Sequence, residues 1–195
     1  MQIIDDFLPK SDFEELQTII LSHRFPWFYI EDVSLPPEDR HFIKDDMAKE
    51  TDGFYHILYD RPTNIESFAH VSLEKFYHKI EGMFGYTKKN LIRSRIGLKM
   101  PKVGFSKDNY NLPHVDYYFP HTTIIYYLND SDGDTRMFQE FYSDSGIERS
   151  DFIVKELVKP KANRLLIFDG LQYHTASNPF DFSRRVVINI NFEKI

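Results

Sequence analysis

The 195-residue chain contains no cysteine. That excludes a disulfide framework and any thiolate metal site, leaves His, Asp and Glu as the strong metal ligands, and makes an intracellular, cytoplasmic setting the expectation. Positive charge is also short. Lys and Arg number 24 against 30 Asp and Glu, a formal net charge of −6, the wrong sign for gripping phosphate backbones, so nucleic acid is not an expected partner. No apolar run approaches the ~20 residues of a membrane helix, and "MQIIDDFLPK" has neither the basic nor the apolar region of a signal peptide. Repeats, low-complexity tracts and linkers are missing too, so one domain is expected at this length. In excess are aromatic side chains, 16% of residues with 18 Phe and 12 Tyr, beside an ordinary 42% hydrophobic and 28% charged content.

Two halves differ in pattern. In "IIDDFLPKSDFEELQTIILSHR" a short strand leads into a helix, with Ser11 and Glu14 spaced as a capping box and Phe13, Leu16, Ile20 and Leu21 as its apolar stripe. "FPWFYIEDVSLPPEDRHF" holds three prolines and no period, which predicts a loop with short extended pieces. "IESFAHVSLEKFYHKIEGMFG" predicts a second helix through Phe68, Val71, Phe76, Ile80 and Phe84, stopped by Gly85. Beyond Asn90 the runs turn short and apolar or alternating: "LIRSRIGLKM", "TTIIYYLN", "TRMFQEF", "VKELVKP", "RLLIFDG" and "RRVVININF". Turn signals separate them, as in an antiparallel sandwich or small barrel. The expected class is α+β, helices first and strands second.

Chemistry enters at "HVDYYFPHTTIIYYLND", residues 114–130. On an extended strand His114 and Asp116 leave the same face and point at one spot. His174, in "FDGLQYHTASNP", lies 58 positions after Asp116, room for strands to go out and return. Two histidines and a carboxylate form the facial triad of non-haem Fe(II) oxygenases, which keeps one side of the metal open.

Taken in order, "HVD", "YYLN" at 126–129, "PKANRLLIFDG" at 160–170, His174 and "RRVVINI" resemble the Fe(II)- and 2-oxoglutarate-dependent dioxygenases, in particular the prolyl-hydroxylase-like branch. The resemblance covers about residues 90 to 192. It implies a double-stranded β-helix, or jelly roll, over 90–195, with a mainly helical region 1–89 packed against its major sheet and the whole of 1–195 as one catalytic domain. It implies Fe(II) on His114, Asp116 and His174, with Tyr127 and an arginine after His174 holding the distal carboxylate of 2-oxoglutarate. Dioxygen and a peptide, protein or small-molecule substrate complete the expected partners, and ascorbate is the expected accessory reductant. The implied reaction is hydroxylation of a prolyl or other residue. The alternatives are an oxygenase of free amino acids or nucleobases, and a jelly-roll binding module without turnover. Relatives often carry Gly where this chain has Ala162 and Asn163, and Asn tolerates left-handed backbone. The arginine is doubled, Arg184 and Arg185. Alternation along the last strand sets Arg185 with Val187, Asn189 and Asn191, and Arg184 with the apolar Val186, Ile188, Ile190 and Phe192, so Arg185 is expected to face the site.

Other signals have plainer readings. His121 is expected in a loop, and His23, His41, His56, His70 and His78 as structural residues. "DSDGDT" alternates Asp130, Asp132 and Asp134, yet the twelfth position of a calcium loop begun at Asp130 is Phe141 rather than Glu. A polar turn is expected there. "PWFYI" and "DGFYHILY" are expected to be core aromatics.

Overall fold

The computed structural model describes residues 1–33, 47–143 and 152–194. The runs beyond Asn90 form β5 (Leu91–Lys99), β6 (His121–Tyr127), β7 (Thr135–Phe141), β8 (Val154–Val158), β9 (Arg164–Asp169) and β11 (Arg185–Glu193). An additional strand, β10 (Gln172–Ala176), carries His174 and is too short and mixed in character to stand out in the sequence. The first half supplies β1 (Gln2–Ile4), β2 (Phe28–Ile30), β3 (Gly53–Asp60) and β4 (Ile65–Glu66). Thus all of "DGFYHILY" but its first residue falls in the eight-residue strand β3 where the sequence showed only an aromatic cluster, and the half expected to be mainly helical also extends the sheet.

All pairings between these strands are antiparallel. The major sheet runs β1-β9-β6-β11-β5-β3-β2 with β4 beside β3, and the minor sheet runs β10-β7-β8. Strict alternation divides the side chains between two cores. Ile124, Tyr126, Leu165, Val186, Ile188, Ile190 and Phe192 turn outward to the helices, while Ile125, Tyr127, Leu166, Phe168 and Val187 turn inward against Met137 and Val158 of the minor sheet. Two sheets face to face with helices on the major one is the double-stranded β-helix layering, mostly β in content.

Helix α1 (Lys10–Ile20) buries Phe13, Leu16 and Ile20 as its spacing requires. Its N-cap is Pro9, two residues ahead of the expected Ser11, and no side chain caps it, because Pro9 pre-sets the entry angle and Ser11 already lies inside the first turn. Helix α2 (Glu74–Phe84) ends at Gly85, whose φ of 76° is left-handed. The stretch before it, Phe68–Leu73, is a 3-10 helix. Its three-residue period rotates the stripe, so Phe68 and Val71, expected inside, are 74% and 72% exposed while Ala69, His70 and Leu73 are buried.

Asn163 has φ 64°, and its side chain does more than tolerate that geometry. It accepts from Leu8 N at 2.8 Å and Tyr126 Oη at 2.6 Å, and donates to Leu8 O at 2.8 Å, tying the β1–α1 connection to the core. Asp132 accepts from Phe180 N and Asp181 N at 2.9 and 2.6 Å, and Asp130 accepts from Ala162 N at 2.7 Å, so "DSDGDT" is a polar turn. His56 bonds Pro26 O and Ser67 Oγ, and His70 bonds Glu66. His41 and the proline-rich remainder of its segment fall outside the described residues. Among those described, no helix is long and apolar enough to cross a membrane.

Candidate metal centre and its pocket

His114 and His174 meet as an antiparallel bridge, each backbone N–H donating to the other's carbonyl at 3.0 Å. That pairing carries the minor sheet one residue beyond β10 and brings the rings to 4.8 Å. Each Nδ1 faces the carbonyl two residues earlier, His114 to Leu112 O at 3.0 Å and His174 to Gln172 O at 3.2 Å. A carbonyl only accepts, so both protons sit on Nδ1 and both Nε2 lone pairs are free for a ligand role. Burial, and the neighbouring imidazole after it, hold His114 down to about 4. Burial lowers His174 as well.

The expected same-strand placement of His114 and Asp116 does not occur. Only His114 bridges; Asp116 sits in a bend and regular strand resumes at His121. The carboxylate still arrives because the major sheet holds it. Arg93 Nη2 donates to its Oδ1 at 3.0 Å, and Asn191, Asn189 and Thr123 donate to its Oδ2 at 2.8, 3.2 and 3.3 Å. Burial works against its charge, but Arg93 and the two imidazoles outweigh it and keep the carboxyl well below the usual range.

The ligand atoms of His114, Asp116 and His174 lie within 4.8 Å of one another, and no other such group occurs among the described residues. Two neutral imidazole nitrogens and one ionised carboxylate suit one first-row divalent ion. His121 is not in a loop. It opens β6 fully buried, its Nδ1 on Phe119 O at 2.7 Å, and its ring fills the place a Cβ on Gly170 would take, 2.1 Å away.

From the two histidines a cavity runs between the sheets toward Arg185. Arg185 is 4% exposed, donates to Gly133 O at 2.7 Å and Thr135 Oγ1 at 2.8 Å, and lies over the Tyr127 ring at 5.7 Å. Tyr127 is fully buried with its hydroxyl on Thr135 Oγ1 at 2.7 Å, and Thr135 rather than Tyr127 lines the cavity. Arg184 is exposed, with its carbonyl on Asn129. The β11 alternation therefore holds as read.

What the sequence reading passed over is β5. Alternating with Ile92, Ser94, Ile96 and Leu98, its other face presents Arg93, Arg95, Gly97 and Lys99, paired in register with Asn191, Asn189, Val187 and Arg185. The same two-residue period that was applied to β11 exposes this row. Lys99 donates to Asn111 Oδ1 and to Thr51, and burial, then Arg185, push its amine well below the ordinary lysine range. Arg95, Lys99 and Arg185 line the cavity, and no Asp or Glu does among the described residues. The wall is built for anions.

No protein-family model and no curated protein matches the chain. Solved structures do match in shape. A prolyl hydroxylase from Trichoplax adhaerens, in complex with a hypoxia-inducible-factor peptide fragment, superposes with TM-score 0.57 at 14% identity over 98% of this chain and 83% of its own. The epimerase SnoN, in complex with Fe3+, alpha-ketoglutarate and nogalamycin RO, gives 0.59 at 14% over 98% and 78%. A Pseudomonas putida prolyl-4-hydroxylase gives 0.53 at 14% over 99% and 92%. With two antiparallel sheets, helices on the major one and a His-x-Asp and distant His brought together between them, the chain has the double-stranded β-helix fold of the Fe(II)- and 2-oxoglutarate-dependent oxygenases.

Proposed function

We propose that the protein is an Fe(II)- and 2-oxoglutarate-dependent oxygenase, a hydroxylase whose substrate is a prolyl or other residue of a peptide or protein. The carrying observation is the convergence of His114, Asp116 and His174 at one end of a cavity whose other end is the buried guanidinium of Arg185. Residues 1–195 act in this reading as one catalytic unit, with 1–89 as support. Ascorbate belongs to it as accessory reductant. The reading is supported by the shared shape with two prolyl hydroxylases, which fixes fold and not substrate.

Each residue has a task. The two Nε2 atoms and the Asp116 carboxylate would hold Fe(II) on one face, and Arg93 with Asn189 and Asn191 keeps that carboxylate ionised and oriented. Arg185 would take the distal carboxylate of 2-oxoglutarate bidentately, its plane steadied by Tyr127 and Thr135. When bound, metal and cosubstrate supply the oxidation: dioxygen and 2-oxoglutarate yield succinate and carbon dioxide, and one substrate C–H becomes C–OH. Ile125 and Val187 give the pocket an apolar stretch on its major-sheet wall.

Two measurements test this. Purified chain is expected to bind one Mn(II), and Asp116→Ala or His174→Ala to abolish that binding; unchanged stoichiometry in both variants refutes the triad. With Fe(II), air and 2-oxoglutarate, succinate is expected to form, faster when a true substrate is added. A binding module without turnover would take up metal and 2-oxoglutarate but release no succinate.

A further inference from the structure

Three basic side chains line the cavity, and two have local company: Arg185 bonds Gly133 O and Thr135, and Lys99 bonds Asn111 and Thr51. Arg95 has none. Among the described residues it makes no hydrogen bond, ion pair or ring contact. Its neighbour two positions earlier, Arg93, is committed to Asp116 and to the Tyr117 ring. The Asp116 carboxylate attracts Arg95 without bonding it, so its donors stay open to a ligand that brings an anion into the cavity.

The register locates that anion. Arg95 stands directly opposite Asn189 on one side and Ile57 on the other, whereas Lys99 stands opposite Arg185. Asn189 donates to the Asp116 carboxylate at 3.2 Å while its own Oδ1 is buried without a partner. Arg95 is therefore at the metal end of the cavity. The distal carboxylate of 2-oxoglutarate, held by Arg185, is four residues of strand away, roughly 13 Å at ~3.3 Å per residue. One unanswered donor fork and one unanswered acceptor lie side by side where a substrate must present the carbon to be oxidised.

We propose that Arg95 is a specificity residue that binds a carboxylate of the primary substrate, so that the substrates of this protein carry a free carboxylate near the oxidised carbon. The inference rests on the oxygenase reading and names the substrate chemistry of that site. The other source of the same chemistry is the metal-side carboxylate of 2-oxoglutarate, and the test separates the two.

The full chain is loaded with Mn(II) and saturating 2-oxoglutarate, each uptake measured by calorimetry, and the proton relaxation of added propionate is compared with that of neutral propionamide. Wild type is expected to relax propionate several-fold more strongly. Arg95→Met is expected to lose the difference and to keep its 2-oxoglutarate affinity, whereas Arg184→Met keeps both. Should the Met variant fail to fold, Arg95→Lys serves: the charge stays, the planar fork goes, and the difference is expected to shrink. Equal relaxation of the two probes by wild type, or a difference that survives Arg95→Met, overturns the proposal. So does a loss of 2-oxoglutarate affinity of about tenfold or more in Arg95→Met, which assigns Arg95 to the cosubstrate. If wild type takes up neither Mn(II) nor 2-oxoglutarate, the oxygenase reading itself fails, and that appears in the calorimetry alone.

Discussion

Arg184 and Arg185 are chemically identical neighbours, and alternation alone separates them: one exposed, the other 4% exposed between the sheets. A charged hydrogen-bond pair contributes ~1.5–3 kcal/mol, and each 1.4 kcal/mol is about tenfold. Arg185→Ala is accordingly expected to weaken 2-oxoglutarate binding by roughly ten- to a hundredfold, and Arg184→Ala by far less, titrated at fixed Mn(II). A larger loss in Arg184→Ala would mean that the inner and outer faces of β11 are assigned the wrong way round. Arg95 shows the limit of reading residues one at a time. The row Arg93, Arg95, Lys99 was as visible by period as β11, but charge on a strand is ordinarily solvent-facing, and only its pairing with β11 turns it inward.

Between elements, two junctions anchor the β1 end of the major sheet. Asn163 combines a left-handed backbone with three side-chain hydrogen bonds. Asn163→Gly keeps the backbone freedom and removes the bonds, so its expected destabilisation of about 1–3 kcal/mol isolates them; a denaturant midpoint equal to wild type would show that they contribute nothing. Nearby, Asp5 of the β1–α1 connection pairs with Arg164 at 2.6 Å and Lys161 at 3.1 Å. The Arg164 bond, followed by that of Lys161, lowers its carboxyl from 3.8 to about 2. Between those values the unfolded chain holds the extra proton, so stability rises with pH there: the contribution is whole above about 3.8 and vanishes as pH falls through about 2. Both partners are partly exposed, and screening keeps the effect small. Asp5→Asn should lower the melting temperature slightly at pH 7, and the gap to wild type should narrow between pH 4 and pH 3. A gap that is constant with pH would remove the ion pair from the account.

At the scale of the whole molecule, the site is where the two sheets meet. His114 and His174 come from the minor-sheet side, the donors that hold Asp116 come from β5, β6 and β11, and Arg185 closes the far end. Ligands that bridge the sheets stabilise only the folded chain, by about 2.7 kcal/mol at a hundred times Kd. Mn(II) with 2-oxoglutarate is therefore expected to raise the melting temperature more than Mn(II) alone. In Asp116→Ala the metal increment should disappear, and with it most of the 2-oxoglutarate increment. Equal melting temperatures for wild type with and without both ligands would count against a site spanning the sheets.

Sequence alone determined whatever depends on near neighbours along the chain. The two-residue alternation of "RRVVININF" sorted its faces, Gly85 stopped a helix, Asn163 could take a left-handed turn, and His114, Asp116 and His174 stood out as the group that converges in space. These are consequences of backbone periodicity and local sterics, which a few residues carry within themselves. Tertiary structure decided the rest. The 3-10 turn that exposes Phe68 and Val71, the bend rather than strand at Asp116, the capture of "DGFYHILY" as β3 and the inward turn of Arg95 and Lys99 all depend on partners distant in the chain. A strand's buried face is set by what pairs and packs against it, and the charge of Arg95 acquires meaning only once β11 lies beside it, when its guanidinium lines the cavity without a hydrogen bond.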